Sequence, residues 1–422
     1  MKTGLIFSFL LLPGIHQLIA QPVLPQRENC STFSYQQEQL KNTPGLAEKI
    51  RDMEVFVRQQ IANGGSAASR MEGNVIKIPV VVHVLYHTPS EKISDAVVQS
   101  QINVLNDCFR RRNADSVKTP AAFKPLAADC EIEFQLATSD SRSRSTTGIV
   151  RKYTPITKWK MDDAMKFSAS QGDDAWDAKS YLNIWVCRLD KLAGYSSFPG
   201  SDLAKDGVVL DFNAFGVTSN TGYGMGKTAV HEIGHWFGLK HLWGDANCGD
   251  DGVDDTPKQA SYTPGCPTTV RITCGNGPNG DMFMNYMDFT SDACTNLFTK
   301  GQKERMRALF AVAGSRHSFL SSTGLNPPLI FEAPLPENDP QWLHPQLYPN
   351  PASSEVTLDL SYDERWVGKT IQIVNLQGQT VMLLTITSKK MQIDIKKLQE
   401  GIYFLAAKKD DGESMKMRFM RL

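Results

Sequence analysis

The residues with the clearest chemistry are a histidine, a glutamate and a second histidine in one short run, followed by a third histidine. His231 and His235 are four positions apart, so on a helix both imidazoles can point at one metal ion. Glu232 lies beside that point and is suited to hold and deprotonate a water molecule. Gly238 permits a left-handed turn that ends the helix and brings His241 beneath it. Three neutral nitrogens with a fourth position open are typical of a catalytic zinc site.

A second group of possible metal ligands follows the third histidine. Carboxylates this close together repel one another unless a cation neutralises them, and hard oxygen donors suit calcium. A solvated acidic loop without an ion is the alternative. The candidate calcium ligands are Asp245, Asp250, Asp251, Asp254, Asp255 and Thr256.

The elements that must position these residues predict an α/β (α+β) domain. The run from Ile78 to Tyr86 is rich in β-branched residues, which predicts a strand buried on both faces. Ser94 can cap a helix that extends to about Arg111. Strands alternating with a crossover helix imply a mixed, mainly parallel twisted sheet, with the zinc helix beginning near Gly226. The further strands are predicted at residues 132–136, 148–153, 181–187 and 208–211.

The N-terminal residues predict export and a propeptide. Residues 1–20 are typical of a signal peptide, with Lys2 before a short apolar run. Residues 21–70 are polar and helix-prone and end in a flexible linker that contains the Ser69–Arg70 bond. The thiolate of Cys30 could fill the open metal position until the propeptide is cleaved away. A disulfide with another of the eight cysteines is the alternative for Cys30.

Charge and hydropathy exclude several classes of partner. Lys and Arg together number 45, as do Asp and Glu, so no overall field favours nucleic acid or an anionic membrane. Beyond the N-terminal apolar run, no stretch approaches the roughly 20 apolar residues needed to span a bilayer. We therefore expect a mature protein with no membrane span and no nucleic-acid partner.

The C-terminal residues predict a separate β-domain. Residues 323–345 form a proline-rich linker, and the catalytic domain is therefore expected to cover residues 71–322. Beyond the linker, short runs of alternating hydrophobicity are separated by turns such as Asp411-Gly412. This spacing predicts a small β-sandwich over residues 346–422.

The long form H-E-x-x-H-x-x-G-x-x-H is the metzincin signature. With Met287 in the run Asn285 to Phe289, and cysteines at 248, 266, 274 and 294, the chain resembles the pappalysin family of metzincins, in particular its bacterial ulilysin-like and mirolysin-like members. The resemblance implies a metzincin fold and a peptidase. It further implies the zinc ligands His231, His235 and His241, the general base Glu232, and Met287 as the methionine of the turn beneath the metal.

The same resemblance implies disulfides Cys248–Cys274 and Cys266–Cys294, calcium in the acidic loop, and a latency cysteine that matches Cys30. One position departs from the family pattern. Such members commonly carry a tyrosine two residues after the turn methionine, where this chain has Phe289. Phenylalanine cannot donate a hydrogen bond, so a contact to the transition state is either missing or supplied elsewhere.

Asp292 is predicted to determine specificity. In the ulilysin-like relatives, an aspartate at the matching position selects a basic residue after the cut, and arginine offers a carboxylate a bidentate partner. The alternatives for Asp292 are a solvated loop residue or a calcium ligand. If it selects arginine, the enzyme can cleave its own Ser69–Arg70 bond.

The C-terminal domain resembles a type IX secretion sorting domain, which implies the type IX machinery as a partner. The matching runs include Tyr348-Pro349-Asn350-Pro351 and Gly401-Ile402-Tyr403. An accessory domain for carbohydrate or matrix binding is the alternative. The whole chain is thus predicted to be a bacterial zinc endopeptidase that is made as a zymogen, exported, and either released or attached to the cell surface. Its alternatives are a surface adhesin that retains a structural zinc, or a deacetylase or amidase.

Overall fold

A computed structural model describes residues 30–63, 75–218, 224–332, 339–410 and 412–422. The predicted signal peptide and the Ser69–Arg70 bond lie outside the described residues. Within them, no helix is both long and apolar enough to cross a membrane.

Two helices precede the sheet. We refer to residues 30–63 as the N-terminal segment; it contains α1 (Thr32–Asn42) and α2 (Leu46–Ala62). Gly45, with φ of 77°, makes the turn between the helices, a conformation that costs glycine little. Tyr35, Leu46 and Val57 are buried, so both helices pack on the rest of the chain.

The central sheet contains six strands. Its members are β1 (Ile76–Tyr86), β2 (Ile132–Leu136), β3 (Ile149–Tyr153), β4 (Leu182–Cys187), β5 (Gly194–Ser196) and β6 (Val208–Asp211). The order is β2-β1-β4-β6-β5, and β3 pairs with the second half of β1. All pairings are parallel except β5 with β6, so the prediction of a mixed, mainly parallel sheet is confirmed.

The long central strand β1 is buried along almost its whole length. Ten of its eleven residues are buried, and only Lys77 is exposed. Partners on both edges and packing on both faces explain why this run has no polar alternation. His83, in its middle, is held by the Asp173 carboxylate at 2.6 Å and the Asn183 side chain at 3.0 Å.

Three further helices complete this part of the fold: α3 (Asp95–Phe109), α4 (Lys227–Trp236) and α5 (Lys300–Ala308). Ser94 Oγ caps α3 by accepting the N–H of Val97 at 3.3 Å, as predicted. Every residue of α4 is buried, because the helix packs between α3 and the strands β5 and β6. The edge strand β5 thus runs beside the helix that carries the first two histidines.

The C-terminal residues form two packed sheets with a core of their own. The strands are β7 (Gln346–Tyr348), β8 (Glu355–Asp359), β9 (Thr370–Val374), β10 (Thr380–Thr385), β11 (Lys390–Asp394), β12 (Gly401–Lys408) and β13 (Ser414–Arg421). One sheet has the order β10-β9-β12-β13 and the other β11-β8-β7. The predicted β-sandwich is confirmed. Part of the predicted linker is ordered against the preceding domain, since Ser143 O accepts the N–H groups of Leu329 and Ile330.

Candidate active site

The helix α4 carries two of the site's histidines, and its own glycine makes room for a methionine beneath them. His231 and His235 lie one turn apart and are both buried. A Cβ atom on Gly234 would collide with Met287 Sδ, so only glycine lets the methionine pack against the helix here. Gly238, with φ of 80°, reverses the chain after α4 and returns His241 to the same point.

The three imidazoles converge with a thiol. His235 Nε2 lies 3.1 Å from the Nε2 atoms of both His231 and His241, and 3.5 Å from Cys30 Sγ. The four ligand atoms all lie within 4.8 Å of one another. Zinc bonds of ordinary length in a tetrahedron require N···N separations of about 3.3 Å and N···S separations of about 3.6 Å. The donor set and its spacing therefore fit a tetrahedral zinc ion.

Each histidine is oriented by a bond from its second nitrogen. His231 Nδ1–H donates to Tyr286 O at 2.6 Å, and His235 Nδ1–H donates to Leu239 O at 2.8 Å. A carbonyl oxygen can only accept, so the proton is on Nδ1 and the Nε2 lone pair is free for a metal. His241 Nδ1 is held in the same way by the Asp245 carboxylate.

Burial keeps two of these imidazoles neutral. It lowers the pKa of His231 to about 3, and it lowers the pKa of His235 well below its ordinary value, with neighbouring histidines adding to both shifts. Because metal coordination needs an unprotonated nitrogen, the environment prepares both rings to act as ligands across the physiological pH range.

Glu232 is fully buried beside the three rings. Its Oε2 accepts the hydroxyl of Thr32 at 2.6 Å, whereas Oε1 is buried with no hydrogen-bond partner. Burial raises the pKa of Glu232 to about 7, although the hydrogen bond from Thr32 opposes the shift. A carboxylate in this condition is matched to accept and return a proton near neutral pH.

The N-terminal segment lies across this centre. Ser31 N–H donates to Gly194 O at 3.2 Å, and Ser196 N–H donates to Thr32 Oγ1 at 2.9 Å. The segment therefore makes three kinds of contact: it bonds polar backbone groups of the edge strand β5, places the Cys30 thiol beside the imidazoles, and donates to the carboxylate of Glu232. Sequence reasoning singled out Cys30 but missed Thr32, whose contact with Glu232 spans 200 positions.

Asp292 lies in the wall of a pocket next to His231. It is only 8% exposed, which excludes the alternative of a solvated loop residue. Its Oδ2 accepts the N–H groups of Met225 at 3.0 Å and Lys227 at 3.4 Å, at the start of α4. Burial raises the pKa of Asp292, and these hydrogen bonds oppose the shift. The pocket is also lined by Thr228, Tyr286, Asp288 and Thr290.

Phe289 belongs to an aromatic group that covers the histidines. Its ring lies 4.8 Å from that of His241 and 5.5 Å from that of His231. Trp243 stacks on His241 at 4.4 Å, and Tyr262 lies 5.5 Å from Phe289. At this position the chain thus packs an apolar ring against the ligands. Trp243 was not singled out from sequence, although it comes two residues after a ligand.

The acidic residues after His241 do not converge as the histidines do. The prediction of Asp245 as a calcium ligand is corrected, because its carboxylate bonds His241 and so supports the metal centre. Asp251 accepts the N–H of Val253 at 3.1 Å and the Thr256 hydroxyl at 2.8 Å. Asp255 Oδ2 accepts the N–H of Gly301 at 2.9 Å, and Asp254 is exposed. Among the described residues, the Cys30 thiol and the three imidazoles are the only cluster of three or more His, Cys, Asp or Glu ligand atoms that could hold a metal ion.

The cysteines divide into bonded and free. Cys248 is bonded to Cys274 and Cys266 to Cys294, which is the pairing that the resemblance implies. Cys30 is free, so its alternative role in a disulfide is not seen. The other three, buried in the interior, are also free: Cys108, Cys130 and Cys187.

Comparisons with known proteins agree with this centre. Residues 167–311 match the peptidase family described as pregnancy-associated plasma protein-A, and residues 346–420 match the secretion system C-terminal sorting domain. An extracellular metalloprotease of Pyricularia oryzae is 32% identical over 281 residues, which is 63% of this chain and 85% of that protein. One of Sordaria macrospora is 30% identical over 296 residues, which is 67% of this chain and 87% of that protein.

Solved structures extend the likeness to the whole fold around the site. Mature mirolysin of Tannerella forsythia with a cleaved peptide is 47% identical, covers 58% of this chain and 96% of its own, and has a TM-score of 0.57. A promirolysin mutant of Tannerella forsythia is 43% identical, covers 69% of this chain and 97% of its own, and has a TM-score of 0.63.

Fold and site together define a metalloendopeptidase with a catalytic metal. The chain belongs to the pappalysin family of metallopeptidases. Its C-terminal match shows a type IX sorting domain, so the protein is secreted by a bacterium. The predictions of family, fold, enzyme class and export are confirmed.

Proposed function

We propose that the protein is the zymogen of a zinc endopeptidase that uses Glu232 as its general base and prefers arginine directly after the cut. The observation that carries this proposal is the convergence of Cys30, His231, His235 and His241 within 4.8 Å, beside a buried carboxylate. When bound, zinc polarises the scissile carbonyl and lowers the pKa of water to about 7.

The chain's own groups divide the remaining work. Three imidazoles would hold the metal, and Glu232 would accept a proton from the attacking water and pass it to the leaving amine. The N-terminal segment must leave first, because Cys30 Sγ lies where it would be a fourth ligand and the Thr32 hydroxyl donates to Glu232. Its departure frees Gly194 O and Ser196 N–H on β5, where a substrate backbone can pair.

The preference for arginine is proposed to come from Asp292. Its carboxylate lines the pocket beside His231, and an arginine there would find a charge-assisted acceptor. Lys227 lines the same pocket, but its amine is paired with the Asp115 carboxylate and with Thr295 O. The pocket therefore favours a cation.

The test compares cleavage of matched peptides that differ only in the residue after the bond. Mature enzyme should cleave before arginine at least about tenfold faster than before leucine, with sites mapped by mass spectrometry. Asp292→Asn keeps an acceptor for the start of α4 while removing the charge, so it should lose the arginine preference and retain zinc. Cleavage sites with no basic residue after the cut would contradict the proposal.

Activation is proposed to occur at the Ser69–Arg70 bond, which lies outside the described residues. A protease that prefers arginine after the cut can cleave this bond itself. Purified Glu232→Ala precursor should therefore stay intact when incubated alone, whereas the unaltered precursor should yield a mature chain that begins at Arg70. A mature N-terminus far from Arg70 would argue against self-activation there.

Calcium binding by residues 250–256 is a further part of the proposal. Two observations support it: Asp255 Oδ1 is buried without a hydrogen-bond partner, and burial raises the pKa of Asp251 to about 7. A cation would give Asp255 Oδ1 a partner and would favour the ionised form of Asp251.

The proposed division of the chain is a signal peptide at 1–20, a propeptide at 21–70, a catalytic domain at 71–322, a linker at 323–345 and a sorting domain at 346–422. The contacts that cross into the sorting domain include the bond from Arg365 to Pro89 O at 2.9 Å. Truncation after Ser322 should leave activity per molecule within about twofold while blocking export.

A further inference from the structure

Tyr35 of α1 inserts its ring behind the edge strand of the sheet. Neighbouring residues on a strand point to opposite faces. Gly194 faces the active site, since a Cβ atom there would lie 3.3 Å from Glu232 Cγ, so Tyr195 faces the other side. The ring of Tyr35 lies 4.8 Å from that of Tyr195, and Tyr35 is only 2% exposed. The N-terminal segment therefore passes over the sheet edge and fills a pocket beyond it.

The pocket recognises both the hydroxyl and the ring of Tyr35. The hydroxyl donates to Asp163 Oδ2 at 2.8 Å. Lys166 Nζ lies 5.4 Å from the ring centroid, within range of a cation–π contact. An acceptor at the far end and a cation beside the ring together suit a phenol, which has both a donor and an aromatic face.

The walls of the pocket are also bonded to one another. Asp163 and Lys166 are fully buried and form an ion pair of 2.9 Å. Tyr195 donates its hydroxyl to Asp163 Oδ1 at 3.2 Å, and Lys166 donates to Lys205 O at 2.7 Å. Burial alone would raise the pKa of Asp163, but the charges of Lys166 and Lys205 and the hydrogen bonds from Lys166 and Tyr35 together lower it. Asp163 thus remains an ionised acceptor.

Removal of the N-terminal segment leaves this pocket open at one end. Asp163 Oδ2 then loses the hydroxyl donor and keeps Lys205 Nζ at 3.6 Å, and the ion pair that was sealed by an aromatic ring is uncovered. Losing a hydrogen bond to a charged acceptor is costly, so a returning phenol would be favoured. Thr32, three residues before Tyr35, touches Glu232, which places the pocket within a few residues of the bond to be cut.

We propose that Asp163, Lys166 and Tyr195 form a subsite of the mature enzyme that binds a tyrosine side chain of the protein substrate. The proposal rests on the zymogen function, in which the N-terminal segment leaves and the cleft opens. It assigns a specificity role to residues that touch neither the metal nor Glu232. A phenylalanine lacks the donor, an acidic side chain meets Asp163, and a basic one meets Lys166, so tyrosine is selected over all three.

The test is a series of peptides with one fixed Ala–Arg bond and a single tyrosine moved from five positions before the bond to five after it. At one position, tyrosine should raise kcat/KM about tenfold over phenylalanine, in line with the loss of a hydrogen bond to a charged group. O-methyltyrosine, which keeps the ring but cannot donate, should behave like phenylalanine.

The protein variant Asp163→Asn keeps the size of the side chain and tolerates the left-handed backbone, where φ is 62°. It should reduce the tyrosine advantage to less than about twofold. Asp140→Asn is the matched control. Asp140 is buried like Asp163 and is likewise paired with a basic residue, here an arginine, but it lies outside the pocket. This control should retain the advantage. If Asp163→Asn does not fold, the O-methyltyrosine comparison on the unaltered enzyme decides.

The proposal is overturned if tyrosine exceeds phenylalanine at no position, or if the advantage persists in folded Asp163→Asn. Failure to cleave any Ala–Arg peptide would instead count against the proposed arginine preference. In that event binding decides the subsite: a fluorescent peptide of residues 30–42 is titrated onto mature enzyme. Replacing its Tyr35 by phenylalanine should weaken binding about tenfold, and equal binding would refute the subsite.

Discussion

Metal ligands were predicted both on helix α4 and in the acidic loop at residues 245–256, and only those on the helix converge in the structure. On the helix, His231 and His235 converge with His241 and Cys30 to within 4.8 Å. In the loop, Asp250 and Asp251 accept local backbone or hydroxyl donors, and Asp255 accepts the N–H of Gly301 on α5.

The difference shows what makes a ligand pattern informative. A regular helix converts a spacing of four into a shared face, so the sequence distance alone predicts the geometry. An irregular loop has no fixed relation between spacing and direction. Its carboxylates can be satisfied by their own neighbours through turns that residue types such as Asp and Asn favour. A dense run of acids is therefore weaker evidence for an ion than two histidines one turn apart.

The largest expected effect tests the helix side of this comparison. Glu232→Ala should lower peptide hydrolysis by about 10³-fold, because it removes the proposed general base. Zinc content should remain near one per molecule, since every proposed ligand is kept. Glu304→Ala, which changes an exposed glutamate of α5, is the control and should retain full activity. Casein hydrolysis measures activity and elemental analysis of the same samples measures zinc content. An active Glu232→Ala enzyme would show that Glu232 is not the general base.

The second expected effect concerns the fourth ligand. Cys30→Ala should give a precursor that matures several-fold faster or cleaves casein before processing, because the thiol no longer closes the metal position. Thr32→Val, which removes the donor to Glu232, should act in the same direction but less strongly. Glu38→Ala alters an exposed residue of α1 and should mature at the ordinary rate. Processing is followed by gel and N-terminal sequencing over time; unchanged latency of Cys30→Ala would show that the thiol is not the block.

The third prediction tests the loop. If residues 250–256 bind calcium, a hundredfold excess over the dissociation constant should stabilise the folded protein by about 2.7 kcal/mol. Melting is measured at constant zinc with and without a calcium-selective chelator. Asp251→Asn should reduce the shift, because it removes a buried charge from the loop. Identical melting in both conditions would mean that the acidic residues are satisfied by the protein alone.

The smallest expected effect involves a contact between the N-terminal segment and the loop. Arg305 pairs with Glu54 of α2 at 2.6 Å and donates to Gly252 O at 3.0 Å. Burial alone would raise the pKa of Glu54, but the hydrogen bonds and charge of Arg305, together with the hydrogen bond from Arg58, outweigh it and lower the pKa to about 2. A carboxylate with a lowered pKa stabilises the folded precursor above its ordinary pKa of about 4.3, and this contribution is lost as the pH falls towards 2.

Glu54→Gln in a Glu232→Ala precursor should therefore cost about 1 kcal/mol at pH 7, since Glu54 is partly exposed, and progressively less between pH 4 and pH 2. Glu48→Gln, an exposed change on the same helix, should cost nothing at either end of the range. Chemical denaturation at a series of pH values gives both curves. A Glu54→Gln penalty that does not shrink in acid would show that the ion pair is not its source.

Much of the fold could be predicted because its signals are local. The β-branched run of β1 predicted a doubly buried strand, Ser94 predicted the start of α3, and the alternating runs after residue 346 predicted the strands of the sandwich. The proposed ligands on α4 were visible for the same reason, since helical periodicity relates spacing to direction over a few residues. The disulfide pairing came from the family resemblance, because four cysteines by themselves allow three pairings.

Only the tertiary structure decided which distant residues meet at the site. Cys30 reaches His235 across 205 positions, and Thr32 reaches Glu232 across 200. Asp245, predicted as a calcium ligand, proved to orient His241. Tyr35 and Asp163 lie in segments whose patterns show no relation, yet the crossing of α1 over the edge of the sheet joins them. Such contacts depend on how whole elements pack, and no local period or composition in the sequence encodes that arrangement.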